Sequence, residues 1–157
     1  MAFWQKLEKF WDLENKNSFW MMTIEDAIEE LMYQSGSHEN FEHERWQNGF
    51  LGHLRPFQGK LREENYHLIM KALQVLAPEM EKEFIDKRII SSVMGICHLG
   101  RMWAINPEGM LQSNKLISKE QTLKIDDWLV NISYAAFCLL DGAGAEEAFW
   151  SYNENNQ

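Results

Sequence analysis

The segment with the most groups able to do chemistry is residues 37–45, which reads Ser-His-Glu-Asn-Phe-Glu-His-Glu-Arg. Imidazole and carboxylate groups bind transition metals and transfer protons. On a helix, residues four apart share a face, so His38 would lie beside Glu42. Glu39 and His43 form a second such pair. The two histidines are five residues apart, about 140° round a helix, and cannot chelate one ion as a His-x-x-x-His pair does. We therefore expect a solvated polar face and no metal.

A second candidate metal motif is Glu64-Asn65-Tyr66-His67, which matches Glu-x-x-His. Di-iron helical bundles need two such motifs and two further glutamates, and the sequence has no second copy. Glu64 also lies near a predicted helix start, where a carboxylate is stabilised without any ligand. No cofactor is expected. A metal-dependent helical enzyme using His38, His43, Glu64 or His67 is kept as an alternative.

Nucleophile motifs are also weak. Cys97 precedes His98, but neighbouring helical residues diverge by about 100°. Cys97 falls on an apolar stripe, which favours a buried structural thiol. The Ser91-Ser92 pair lacks the Gly-x-Ser-x-Gly elbow, and the chain has neither a Walker loop nor a dinucleotide fingerprint. We predict no catalytic residue.

Charge gives a stronger indication than any motif. The chain carries 24 acidic and 15 basic residues, a net charge of −9, and so lacks the basic face of a nucleic-acid binder. Residues 25–44 contain seven acids and no Lys or Arg, and two aromatic residues follow closely. An aromatic anchor ringed by acids suits contact with a basic protein, although solubility and core packing are alternative uses. The predicted partner-binding residues are Glu25, Asp26, Glu29, Glu30, Glu39, Glu42, Glu44, Trp46 and Phe50.

The elements that would carry these residues are helices. Thr23 and Asp26 form a capping box, which predicts a helix that the Ser-Gly-Ser run at 35–37 ends. Apolar residues at helical spacing continue through residues 38–54, although two glycines weaken a helix there. An earlier amphipathic helix is predicted over residues 3–14.

The second half of the chain follows the same pattern. A strong helix beginning near Leu61 is predicted to stop before Pro78, which is then expected to open the next helix. That helix should run to a turn at residues 106–109. A capping box beginning at Ser118 precedes an apolar run over residues 123–140, the predicted central core helix.

The predicted fold is all-α, a single compact bundle of about six or seven helices formed by residues 1–157 as one domain. A last short helix is expected over residues 145–152, with residues 153–157 as a frayed tail. Alternating strand patterns never persist.

The expected compartment is the cytoplasm. The first residues mix charge with apolar side chains, so no secretory signal is expected. No apolar run has the length of a membrane span, so no membrane partner is expected. Cys97 and Cys138 are predicted to be reduced thiols in the core.

As a whole, the sequence resembles the small immunity proteins of bacterial contact-dependent growth inhibition and related toxin systems. The features that carry the resemblance are the acidic segment 25–44 with its aromatics and the run from Ile125-Asp126-Asp127-Trp128 to Glu146-Glu147-Ala148-Phe149-Trp150. The resemblance implies a non-catalytic protein that binds a cognate toxin domain and plugs its active site. Many such toxins are nucleases with basic clefts, including RNases of the EndoU type.

In this interpretation, carboxylates of residues 25–44 take the places of RNA phosphates in the toxin's cleft. Further candidates for the same role are Glu63, Glu64, Asp126 and Asp127. A different alternative is a helical adaptor or regulatory protein that binds a peptide or helix. That alternative predicts an exposed apolar groove rather than an acidic face.

Overall fold

The computed structural model describes residues 22–157, so the helix predicted over residues 3–14 lies outside the described part. No strand occurs in residues 22–157, and the prediction of an all-α fold is confirmed. A 3-10 turn at Gly52–Leu54 and a π-helical turn at Arg101–Ile105 supplement the α-helices. The α-helices are α1 (Ile24–Gln34), α2 (Glu44–Asn48), α3 (Glu63–Met80), α4 (Lys87–Gly100), α5 (Met110–Ser113), α6 (Lys119–Asp141) and α7 (Ala145–Asn155).

The core lies between α6 and the helices around it, as the long apolar run predicted. Helix α6 packs against α3, α4 and α7, while α1 packs against α3 and α4. Ile125, Leu129 and Ile132 are fully buried. Trp128 stacks on Tyr66 of α3 with ring centroids 5.6 Å apart. Aromatic stacking adds to the apolar burial, and it fixes α3 beside α6.

Both predicted capping boxes are confirmed. Thr23 accepts a hydrogen bond from the Asp26 amide at 3.1 Å and donates its own amide to the Asp26 carboxylate at 3.0 Å. Ser118 opens α6 through the equivalent exchange with Gln121. Gly142 adopts φ 80°, a left-handed conformation that ends α6 at little steric cost.

The predicted helix boundary at Pro78 is wrong. Pro78 lies inside α3, which continues to Met80. The proline is exposed, whereas Ala77 and Met80 are buried, so packing of this last turn outweighs the backbone hydrogen bond that proline lacks. The next helix begins only at Lys87, where Asp86 accepts a hydrogen bond from the Arg88 amide and caps it.

The helical pattern over residues 38–54 yields only the five-residue α2 and the 3-10 turn. Two close backbone approaches explain this difference. A Cβ on Gly49 would lie 2.7 Å from the Tyr33 carbonyl oxygen, and one on Gly52 would lie 2.2 Å from that of Trp46. The two glycines let this segment fold tightly against the end of α1.

The last helix extends three residues beyond the predicted boundary, so residues 153–155 belong to α7 and not to a tail. Glu146 and Glu147 lie in its first turn, where acids are favoured by the helix dipole. Among residues 22–157, none of the helices has the length and apolar composition needed to cross a lipid bilayer.

Candidate protein-binding site

The seven acids of segment 25–44 divide between α1 and the loop after it, and the helical ones already have partners. Glu25 accepts hydrogen bonds from Arg88 at 2.7 and 3.2 Å. Asp26 caps the helix start, and the hydrogen bond from the Thr23 backbone N–H lowers the pKa of its carboxyl group. Both carboxylates therefore serve the fold of the chain.

The next two acids, Glu29 and Glu30, also have partners. Glu30 is 7% exposed, and it accepts hydrogen bonds from Gln34 at 2.7 Å and from the Arg45 guanidinium. Glu29 lies 3.6 Å from Arg45 and 3.3 Å from the His38 ring nitrogen. Glu30 is an interior residue in this conformation, so its predicted role in direct partner contact does not fit its position.

A buried hydrogen-bond network extends from Gln34. Its amide nitrogen donates to Asn65 at 3.3 Å, and its amide oxygen accepts from the Phe50 backbone at 2.7 Å. Asn65 in turn donates to the Asn48 carbonyl at 2.8 Å. Within residues 22–157, no buried side-chain nitrogen or oxygen lacks a partner. The network ties α2 and its flanking turns to α1 and α3.

The loop between α1 and α2 is braced by aromatic contacts. The His38 ring stacks on Tyr33 with centroids 3.9 Å apart and planes 9° apart. The Arg45 guanidinium lies 4.4 Å from the centre of the same Tyr33 ring. Trp46 donates its indole N–H to the Gly36 carbonyl at 3.1 Å. These contacts give the loop one defined conformation.

On this support, residues 37–44 form a surface that we call the acidic loop. Phe41 is 65% exposed at its middle. The side chains of Glu39, Glu42 and Glu44 are exposed around it in the sequence. None of these three carboxylates has an ion pair among the residues that the structure describes. The acidic loop therefore offers an aromatic side chain and three unpaired negative charges to solvent.

The two aromatic residues predicted as anchors are placed differently. Phe50 is fully buried and packs edge-to-face on Trp128 at 6.4 Å, so it serves the core. Trp46 is half-buried. Phe41, which sequence reasoning did not select, occupies the exposed position. The available signal was that Phe41 is the single apolar residue in segment 37–45, so no apolar partner four positions away could hold it in a core.

The predicted histidine–carboxylate pairs do not form, because residues 35–43, between α1 and α2, are not helical. His38 instead contacts Glu29, and His43 caps α2 by accepting a hydrogen bond from the Arg45 amide at 3.1 Å. Among residues 22–157, no group of three or more His, Cys, Asp or Glu is arranged to hold a metal ion.

Other groups considered for chemistry have structural contacts. His67 lies 2.8 Å from the Tyr152 hydroxyl, and Glu64 lies 3.8 Å from Arg62. Burial raises the pKa of the Cys97 thiol to about 11. A thiol with that pKa is protonated at neutral pH and is a weak nucleophile.

The remaining acidic candidates lie on α3 and α6 rather than on the acidic loop. Glu63 pairs with Lys124 at 3.2 Å, and Asp126 pairs with Arg101 at 3.1 Å. Asp127 is exposed. Two of these three carboxylates thus hold helices together.

Beside the acidic loop lies a cavity of about 590 Å³, which we call the cationic cavity. Its wall includes Arg55, Lys60 and Arg62, together with His53 and Trp46. Because Trp46 also donates to the carbonyl of Gly36, the residue directly before the acidic loop, one side chain connects the two regions.

A third exposed feature is a row of apolar side chains on α6, which we call the α6 outer face. Val130, Tyr134, Phe137 and Leu140 are between 44% and 59% exposed and follow one another at intervals of three or four residues. Trp150 on the adjacent α7 is 62% exposed. Such spacing places side chains on one side of a helix.

Comparisons with known proteins give no family for this chain. It matches no protein-family model, no curated protein and no solved structure. Its function must therefore be argued from the surfaces described above.

Proposed function

We propose that this chain is a cytoplasmic binding protein that neutralises a basic protein partner, as an immunity protein neutralises a nuclease toxin, EndoU-type RNases included. The observation that carries the proposal is the exposed Phe41, flanked by the unpaired carboxylates of Glu39, Glu42 and Glu44. Both described cysteines are free thiols, which suits a reducing compartment.

The residues of the acidic loop match the two requirements of such an interface. Binding energy concentrates in a few buried anchors, and aromatic side chains are prominent among them. Phe41 supplies the apolar anchor, which would enter a pocket of the partner. Glu39, Glu42 and Glu44 would occupy positions that RNA phosphates take in a nuclease cleft. Opposite charges also steer the two proteins together and accelerate association at low salt.

The bracing of the loop favours binding as well. A surface that is already ordered loses less conformational entropy when it binds. The stacking of His38 on Tyr33 and the hydrogen bond from Trp46 to Gly36 order the loop in the free chain. The acidic loop is therefore a preorganised contact surface.

Charge reversal tests the proposal. The assay measures inhibition of purified nuclease toxin domains, EndoU-type RNases included, and rescue of cells that express them. Replacing Glu39, Glu42 and Glu44 with Lys should weaken binding by more than about 30-fold, equivalent to about 2 kcal/mol. The matched control reverses three exposed acids elsewhere in the chain, so it changes the net charge by the same amount. Apart from the effect of net charge, it should change binding by less than about threefold. The control residues are Glu81, Glu83 and Glu108.

Two results would count against the proposal. Inhibition that survives reversal of the acidic loop would show that another surface makes the contact. Failure to inhibit any nuclease domain, or to rescue any cell expressing one, would remove the immunity role.

The aromatic anchor is tested separately. Phe41→Ala should weaken the complex by about 2 kcal/mol or more, mostly through faster dissociation. Phe84 is 85% exposed and also lies among acids, which makes Phe84→Ala the matched control. Equal effects of the two substitutions would show that Phe41 is not an anchor.

The α6 outer face favours a second candidate function, an adaptor that binds a helix of a partner protein. Exposed apolar side chains at positions 130, 134 and 137 have the four-then-three spacing of a helix-packing seam. Asp127 and Asp141 lie at the same spacing on either side, so the preferred occupant is an amphipathic helix with Lys or Arg at its ends. Phe137→Asp should abolish partner binding in this case, whereas it should leave binding through the acidic loop unchanged.

A further inference from the structure

We propose that the cationic cavity is a binding site for a small multivalent oxyanion, a ligand that carries phosphate or carboxylate groups. The cavity and its charges are separate from the acidic loop, so this inference does not rest on the proposed function. It rests on the sign, the availability and the fixed placement of the groups in the cavity wall.

The wall of the cavity is positive although the chain as a whole is negative. Arg55, Lys60 and Arg62 contribute three positive charges, and Glu64 contributes one negative charge. Oxyanions are bound in proteins by such converging cations, and the arginine guanidinium matches the geometry of phosphate and carboxylate groups. The excess of positive charge favours a ligand with at least two negative charges.

These cations are available to a ligand. The described contact of the Arg55 side chain is with the Trp103 ring, 5.6 Å from its centre, which leaves the charge unneutralised. Lys60 has no ion pair among residues 22–157, and Arg62 lies 3.8 Å from Glu64, beyond hydrogen-bonding distance. By contrast, several cations elsewhere in the described chain lie 3.2 Å or less from a carboxylate. These are Arg45, Lys82, Arg88, Arg101 and Lys124.

A buried histidine holds the backbone of the segment that carries two of these cations. His53 is 8% exposed. Its Nδ1 lies 3.2 Å from the Gly49 carbonyl, and its Nε2 accepts a hydrogen bond from the Arg62 backbone N–H at 3.4 Å. Burial lowers the pKa of His53, which favours the neutral ring that this arrangement requires. His53 thus joins the 3-10 turn to the segment that carries Lys60 and Arg62.

The size of the cavity agrees with a small ligand. Ligand sites in proteins have volumes of about 300–1,000 Å³, and this one has about 590 Å³. The uncharged part of the wall includes the amide side chains of Gln47, Asn48 and Gln58. Amide groups can donate hydrogen bonds to the oxygen atoms of such a ligand.

Calorimetric titration with two probes tests the proposal. Inorganic pyrophosphate represents phosphate ligands and citrate represents carboxylate ligands, both at physiological salt. At least one of them should bind one-to-one with a dissociation constant below about 1 mM. Tighter binding of pyrophosphate or of citrate identifies the class of natural ligand.

Matched variants locate the binding. The double variant Arg55→Gln, Lys60→Gln removes two exposed cavity cations and should weaken binding at least tenfold. The control double variant Lys87→Gln, Lys119→Gln removes the same charge from exposed positions on α4 and α6 and should weaken it less than twofold. The indole N–H resonance of Trp46, assigned with Trp46→Phe, should shift during the titration.

Three outcomes would overturn the proposal. The first is that neither probe binds at millimolar concentration. The second is that both double variants weaken binding equally, which would show a response to net charge alone. The third is that the ligand shifts resonances far from Trp46 and leaves the Trp46 indole N–H resonance unchanged.

Discussion

The acidic loop and the cationic cavity lie side by side and are built for different kinds of contact. The loop presents Phe41, 65% exposed, and three unpaired carboxylates. The cavity encloses about 590 Å³ and presents three cations. A projecting aromatic group suits the pocket of a macromolecule, whereas an enclosed charged space suits a small ligand.

The comparison also shows how opposite charges are kept apart over a short stretch of chain. Three of the four acids of α1 form ion pairs with Arg45 or Arg88, and the fourth, Asp26, caps the helix. The unpaired carboxylates of the loop are those of Glu39, Glu42 and Glu44. The cavity cations have no equally close carboxylate partner among residues 22–157. The loop therefore carries unpaired negative charge and the cavity wall carries a net positive charge, and such a difference is what selective attraction of a charged partner needs.

The largest effect is expected from a substitution in the buried hydrogen-bond network that supports both the acidic loop and the cationic cavity. Gln34 donates to Glu30 and Asn65 and accepts from the Phe50 amide. Gln34→Met keeps the side-chain volume but leaves these buried polar groups without their partner. We expect the free energy of unfolding to fall by about 2–4 kcal/mol, measured by urea denaturation.

The matched control is Gln74→Met, since the one hydrogen bond of the Gln74 side chain within residues 22–157 is a 3.5 Å contact with Asn153 at the surface. It should change stability by less than about 0.5 kcal/mol. A loss at Gln34 no larger than at Gln74 would mean that the buried network does not hold the two regions together.

A second prediction compares the ion pairs that neutralise the acids of α1. The Glu30 side chain is 9% exposed beside Arg45, whereas the Glu25 side chain is 71% exposed beside Arg88. Arg45→Gln leaves a buried carboxylate without its cation and should cost about 1–3 kcal/mol in free energy of unfolding. Arg88→Gln should cost less than about 1 kcal/mol.

Restoring neutrality sharpens the test of this second prediction. In the background of Arg45→Gln, the further change Glu30→Gln should recover part of the lost stability, because no uncompensated charge then remains buried. Chemical denaturation of the single and double variants gives the coupling energy. Additive effects would show that the pair contributes nothing beyond its two separate side chains.

Local sequence signals predicted much of the fold. The capping boxes at Thr23 and Ser118 are formed by residues three positions apart, so the sequence contains all their parts. Helix α6 follows from a long apolar pattern in the same way. Pro78 misled the prediction because its effect on the helix depends on packing against distant residues.

The site was harder to predict, because exposure and ion pairing arise from tertiary structure. Periodicity places Phe41, Trp46 and Phe50 in one series, yet only Phe41 is well exposed. Segment 25–44 has no Lys or Arg of its own, but folding brings Arg88 to its first carboxylate. The cationic cavity did have a signal in the sequence, since Arg55, Lys60 and Arg62 occur within eight residues.

The smallest expected effect concerns the cavity alone and uses the titration of His53. Burial lowers the pKa of this side chain in the folded state, so between the folded pKa and the unfolded value of about 6.5 the unfolded chain binds more protons. Stability should therefore fall as the pH decreases from 7.5 through 6.5. Arg62 and Glu64 also face the ring and act on its pKa in opposite directions, which leaves burial as the main cause.

His53→Gln removes this titration and should flatten the pH dependence of the unfolding free energy between pH 7.5 and 5.5, measured by urea denaturation at each pH. The matched control is His98→Gln, which makes the same substitution at an exposed position on α4. A change of slope of the same size in both variants would show that the effect does not come from His53. At low pH, protonation of Nε2 removes its capacity to accept from the Arg62 amide, which is the structural reason why stability should fall. An unchanged slope in His53→Gln would show that this histidine does not couple the cavity to pH.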